Sequence, residues 1–134
     1  MSLFEVLTQE EALQEALKTH ERGRSLYQSG CRLIRHGREL HKQGDRQCAQ
    51  GGALRKRGEQ TRASGVQTAD RDLIHEGDQQ RTQGVKAREE GTKLMAEGRE
   101  AIHEGQKRRE QGADLLEQAN ALLQVAYDRE ADPA

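Results

Sequence analysis

Glycine returns every seventh residue along most of the chain. The series runs Gly23, Gly30, Gly37, Gly44, Gly51, Gly58 and Gly65, breaks, and resumes as Gly77, Gly84, Gly91, Gly98, Gly105 and Gly112. Thirteen of the fourteen glycines lie on this grid, and only Gly52 falls off it. A seven-residue spacing keeps positions on one stripe of an α-helix, so the grid predicts long helices with a glycine seam. With the grid as heptad position a, position d carries Leu26, Leu33, Leu40, Leu94, Leu115 and Leu122, and position e carries Tyr27, Ile34, Met95, Ile102, Leu116 and Leu123. The remaining positions are mostly Arg, Lys, Glu, Gln and Asp, which describes a solvated face. Small residues extend the stripe outward, Ala16 before Gly23, and Ala119 and Ala126 after Gly112.

Between Gly65 and Gly77 the spacing is twelve, seven plus five. Five extra residues rotate a helical stripe by about 140°, too far for a continuous coiled coil to absorb. A reversal is the simpler reading, and the alternative is one uninterrupted helix of nearly 200 Å, at roughly 1.5 Å per residue. The expected fold is therefore all-α: a single long antiparallel helical hairpin over 1–134, coiled-coil-like, with glycine at one heptad position. Its first helix spans about 8–68, its turn about 69–72 and its second helix about 73–128, with loosely packed ends at 1–7 and 129–134. Two capping boxes compete at the start, Ser2 with Glu5 and Thr8 with Glu11. Thr8 is the better start, with Leu3, Phe4 and Leu7 as an apolar lead-in, and Asp70 or Asp72 caps the second helix. Folding about residue 71 sets Gly65 against Gly77, Gly58 against Gly84, and so on to Gly30 against Gly112, then Gly23 against Ala119 and Ala16 against Ala126.

Thirteen helical glycines cost on the order of 10 kcal/mol relative to alanine, comparable with the net stability of a domain. Close backbone approach offsets such a cost, because a seam without side chains lets two helices come nearer than the usual roughly 8–10 Å. Tight antiparallel pairs with alanine at the seam are a known packing style, and this chain resembles a glycine version of it.

Composition agrees with thin helices. Charged residues make up 34% of the 134 and hydrophobic ones 32%, with 2% aromatic, one Pro and no Trp, too little apolar material for a thick core. Net charge is −1, which points to neither nucleic acid nor membrane. Its distribution is uneven: residues 21–65 carry eleven bases against four acids (+7), and residues 72–134 nine bases against fourteen acids (−5). Cys31 and Cys48 lie 17 residues apart, about 25 Å on one helix and beyond disulfide reach. No apolar run approaches the roughly 20 residues of a membrane span. A cytoplasmic chain without stable membrane insertion is expected.

Two candidate surfaces follow. A lone hairpin leaves its d and e sides wet, so Leu26, Leu33, Leu40, Leu94, Leu115 and Leu122 on one side, and Tyr27, Ile34, Met95, Ile102, Leu116 and Leu123 on the other, predict self-association. The simplest product is a homodimeric four-helix bundle, and two apolar sides allow a tetramer. Nearer the turn, position e becomes Arg55, Arg62, Arg81 and Arg88, a cluster suited to an anion or an acidic partner unless neighbouring carboxylates neutralise it. Missing aromatic residues leave no base-stacking platform for nucleic acid. His20, His36, His41, His75 and His103 lack metal-ligand spacing, and no nucleophile–base pair or phosphate loop appears, so neither metal nor cofactor nor enzyme activity is expected. The sequence thus predicts a structural or protein-interaction module with an unspecified protein partner. Polyanion binding through the arginines is the second reading, and reversible lipid binding the third.

Overall fold

A computed structural model describes residues 8–131, with side chains for residues 8–128, as two long helices and no strand. Helix α1 runs Gln9–Thr68 and α2 runs Arg71–Ala131. No helix is long and apolar enough to cross a membrane. The capping box of Ser2 with Glu5 and the apolar lead-in of Leu3, Phe4 and Leu7 lie outside the described residues. At the far end α2 continues to Ala131, beyond the expected limit at 128.

Both helix starts are capped by side chains. Glu11 N–H donates to Thr8 Oγ1 at 3.2 Å, the cap expected from the Thr8–Glu11 box. At α2, Asp70 Oδ1 accepts from the backbone N–H groups of Asp72 at 3.0 Å and Leu73 at 3.3 Å, which makes Asp70 the cap and moves the start of the helix back to Arg71. Between the helices the turn is a Schellman motif. Asp70 N–H donates to Gly65 O at 2.8 Å and Ala69 N–H to Val66 O at 3.3 Å. Ala69 takes the left-handed conformation there, with φ 56°, where glycine is the usual occupant.

The described residues divide into two compact units: 8–34 with 103–131, and 35–102. In each, α1 packs antiparallel on α2 through the glycine stripe, and all thirteen stripe glycines are buried. In the inner unit the facing pairs are Gly58 with Gly77, Gly51 with Gly84, Gly44 with Gly91 and Gly37 with Gly98. The outer unit pairs Gly30 with Gly105 and Gly23 with Gly112. This register is one heptad away from the folding about residue 71, which would have set Gly58 against Gly84 and Gly23 against Ala119. The Schellman turn is the cause. It reverses the chain at Ala69–Asp70 and leaves Gly65 packed on Ile74 and the Asp70 carbonyl instead of on Gly77.

At each level a glycine lies over one backbone hydrogen bond of the opposite helix, the bond between position a and position e. A Cβ on Gly77 would sit 2.6 Å from Gly58 O and 2.5 Å from Arg62 N, and one on Gly58 would sit 2.6 Å from Gly77 O and 2.7 Å from Arg81 N. Each glycine therefore directs a Cα hydrogen at a carbonyl, a contact worth about 0.5–1 kcal/mol, similar to the helix penalty of the glycine itself. In the outer unit a Cβ on Gly23 would find its nearest atom at 2.9 Å, while one on the facing Gly112 would still meet Gly23 O at 2.6 Å. Alanine then takes over, with Ala12, Ala16, Ala119 and Ala126 at most 2% exposed.

The charge split between the helices does little to hold them together. Of the ion pairs among the described residues, only Arg62 to Asp78, at 3.0 Å, links α1 with α2. Other cross-helix polar contacts are Gln47 to Glu90 at 2.9 Å and Arg108 to Ser29 Oγ at 2.8 Å.

Candidate interaction surfaces

In an antiparallel pair the e sides of both helices fall together, as do the d sides. Each predicted arginine consequently flanks the seam. The Cγ atoms of Arg88 and Arg81 lie 2.9 Å from where Cβ atoms on Gly51 and Gly58 would sit, so their stems roof the glycines while the guanidiniums face outward. Arg62 and Arg81 flank the Gly58–Gly77 level, and Arg55 and Arg88 the Gly51–Gly84 level. Two of the four are neutralised. Arg55 pairs with Glu59 on its own helix at 3.5 Å, and Arg62 with Asp78 at 3.0 Å. Arg81 and Arg88 make no ion pair among the described residues.

A groove of about 480 Å³ opens beside the second level, lined by Arg55, Val85, Arg88, Glu89, Thr92 and Lys93. Cys48, one position e further along, donates to Arg88 O at 3.5 Å and lies 3.8 Å from Thr92 Oγ1. Its sulfur fills the space beside Gly91, as a packing cysteine does. Both cysteines are free and half-buried.

The apolar flanks are better covered than the sequence suggested. Ile34 and Leu122 are buried within the chain, and most of the other d and e residues are half-buried. Tyr27 is exposed, with the Arg109 guanidinium 5.4 Å above its ring, a cation–π contact that screens one face.

Apart from Tyr27, the most exposed large side chains lie outside the interface set that the heptad pattern singles out. Leu17 is 67% exposed and Tyr127 62%, followed by Val66, Val85, Leu13 and Tyr27. Every one of the six occupies position e or b, so all lie on the e side of the seam. In the outer unit this side carries Leu13, Leu17 and Tyr127 toward one end, since the Gly23–Gly112 pairing sets Tyr127 near the level of Leu13, while Tyr27 lies about 20 Å further along the axis at roughly 1.5 Å per residue. Position b sits 100° round from the glycine stripe and belongs by composition to the solvated face, since its apolar residues are scattered among charged and polar ones. The Leu26, Leu33, Leu40, Leu94 and Leu115 side is the more closed of the two.

Neither a protein family, nor a characterised protein, nor a solved structure matches the chain.

Proposed function

We propose that the chain is a non-enzymatic scaffold or adaptor of the cytoplasm, a helical hairpin that self-associates through the e side of its outer unit. The observation that carries this reading is the placement of Leu13, Leu17 and Tyr127 near one end of that unit's e side, with Leu17 and Tyr127 more than half exposed. Exposed apolar side chains grouped on one face mark an interaction site, and covering them recovers roughly 25 cal/mol per Å². A second copy covers them by two-fold pairing into a four-helix bundle, and the half-buried leucine side offers a second contact for a tetramer.

Sedimentation velocity from one to tens of micromolar tests the proposal. The wild type is expected to be dimeric or larger, and Leu17→Glu with Tyr127→Glu is expected to return it to monomer without loss of helical signal. A wild type that stays a monodisperse monomer over this range overturns the reading.

Polyanion binding is a second reading, supported by the unpaired Arg81 and Arg88. It requires an affinity for mixed-sequence DNA that falls steeply as salt is added. Binding that is absent, or indifferent to salt, removes it.

A further inference from the structure

The inner unit carries charges of opposite sign on its two flanks. In residues 35–102 the e and b rows hold seven arginines against three acids, whereas the d and g rows hold Arg57 against Glu76, Glu90 and Glu97. Helix α2 shows the division most plainly. Arg81, Arg88 and Arg99 on one flank, and Glu76, Glu90 and Glu97 on the other, make no ion pair among the described residues. Glu90 accepts a hydrogen bond from Gln47 at 2.9 Å, which leaves its charge uncompensated. Lys86 and Lys93, one turn from Glu90 and Glu97, form no ion pair with them either. The two sets lie about 140–160° apart round one helix, so they cannot meet within the chain.

We propose that the two flanks are the halves of one contact between copies, in which inner units stack side by side, in the same direction and in register, arginine flank on glutamate flank. A second α2 displaced sideways without axial shift brings its Glu90 within two residues of Arg88, about 3 Å along the axis, and its Glu97 equally close to Arg99. Val85, 41% exposed between Arg81 and Arg88, falls near the level of Ala87 of the next copy. Two like-charge meetings result, Arg55 with Arg57 and Asp78 with Glu76. In each, one member is already held within its own chain, Arg55 by Glu59 and Asp78 by Arg62.

A neighbour running the other way would set Glu90 and Glu97 against Arg55 and Arg62, which have partners. It would leave Arg81, Arg88 and Arg99 facing α1, where Arg57 is the one formal charge on the d and g rows of this unit. An acidic partner covers the arginines and leaves the glutamates bare, and a basic partner does the reverse. A second copy satisfies both with one repeated contact. Because the contact is heterologous, each added copy exposes a fresh flank, and the series stays open. The proposal rests on the self-associating scaffold reading, at a surface separate from the outer contact.

Exposed ion pairs are individually weak and screened, so the test uses sedimentation velocity at about 200–500 μM protein and about 30 mM salt. The chain carries Leu17→Glu and Tyr127→Glu, which remove the outer contact. The expected result is a sedimentation coefficient that climbs with concentration without a plateau and falls to the monomer value in about 0.5 M salt. Arg88→Glu and Glu90→Arg should each weaken association about fivefold or more, since reversal turns attraction into repulsion. Combined in one chain they should restore it to within about twofold, because the flanks exchange charge and stay complementary. Residues two apart on a helix do not face each other, so this recovery cannot arise within a chain. Arg99→Glu with Glu97→Arg repeats the cycle at the next level, and circular dichroism checks that each variant keeps its helical signal. A chain that stays monomeric under these conditions, or stops at a dimer, overturns the proposal. So does Arg88→Glu that associates as well as its parent, or a double reversal without recovery. Sedimentation of the wild type at tens of micromolar and moderate salt reports the outer contact separately, so failure of one idea is visible apart from failure of the other.

Discussion

Gly51 and Gly52 are neighbours in one helix, and the same substitution at each should move stability in opposite directions. Alanine at either site gains about 0.8–1.0 kcal/mol of helix propensity. At Gly52 nothing opposes the gain, because its Cβ enters open space. Gly52→Ala should therefore stabilise the hairpin by about 1 kcal/mol. At Gly51 the new methyl would sit 2.6 Å from Gly84 O and 2.9 Å from both Arg88 N and Arg88 Cγ. The Arg88 stem can rotate aside, but the Gly84 carbonyl is fixed in a helix, so the two backbones must separate. Overpacking of this kind costs about 1–3 kcal/mol, and the upper half of that range applies where the obstacle is backbone. The Cα–H···O contact made by Gly51 is also weakened, for about another 0.5–1 kcal/mol. Net destabilisation of about 1.5–3 kcal/mol follows for Gly51→Ala, and a difference of about 2.5–4 kcal/mol between the two variants. Urea denaturation followed by circular dichroism at low protein concentration measures both. Shifts of the same sign would falsify the close-approach account of the seam, because helix propensity alone predicts stabilisation at both positions.

The turn and the surface supply further tests. Ala69→Gly relieves a left-handed alanine and should raise stability by about 0.5–1 kcal/mol in the same denaturation assay; a loss would mean that the turn does not need φ 56°. Asp70→Ala removes the acceptor for two N–H groups at the start of α2 and should cost about 0.5–2 kcal/mol, whereas Asp70→Asn, which retains a capping oxygen, should cost much less. The Arg62–Asp78 pair is half exposed on both partners, so a double-mutant cycle should return a coupling below about 1 kcal/mol that shrinks with added salt. A larger, salt-insensitive coupling would show the pair to be far drier than its geometry indicates.

Much of the fold was legible because glycine in a helix is costly and its strict recurrence therefore carries meaning. The grid announced helices, the five-residue excess announced the reversal, and Thr8 and Asp70 announced the caps. The register was not legible. A lattice of period seven maps onto itself when slid by seven, so Gly58 can face Gly84 or Gly77 with the same small-on-small match. The outer alanines do not break the tie, since Ala16 can take the level of Ala119 as readily as that of Ala126. Only the turn decides, and its Schellman geometry depends on alanine in a conformation that no propensity scale assigns to it. The candidate surfaces were half legible. Neutralisation by neighbouring carboxylates is the more expected outcome, and Asp78 and Glu59 do take up Arg62 and Arg55, while Arg81 and Arg88 make no ion pair among the described residues. Leu17, Val85 and Tyr127 were overlooked because position b alternates apolar residues with charged ones such as Arg24, Arg38 and Asp78, so no stripe is visible there until the levels are assigned.

Because the two helices meet through peptide groups and hydrogens, the contact at one level is nearly the same as at the next. A heptad added to each helix at facing levels would leave every other level unchanged, and so would a matched deletion. The hairpin can therefore change length in whole steps by duplication or loss of short stretches of coding sequence, without passing through intermediates that must rebuild a core. Growth of this kind is closed to an ordinary globular domain, where each added residue must fit side chains already in place. Here length is free to drift, and the Ala69–Asp70 turn is the fixed point from which the levels are counted.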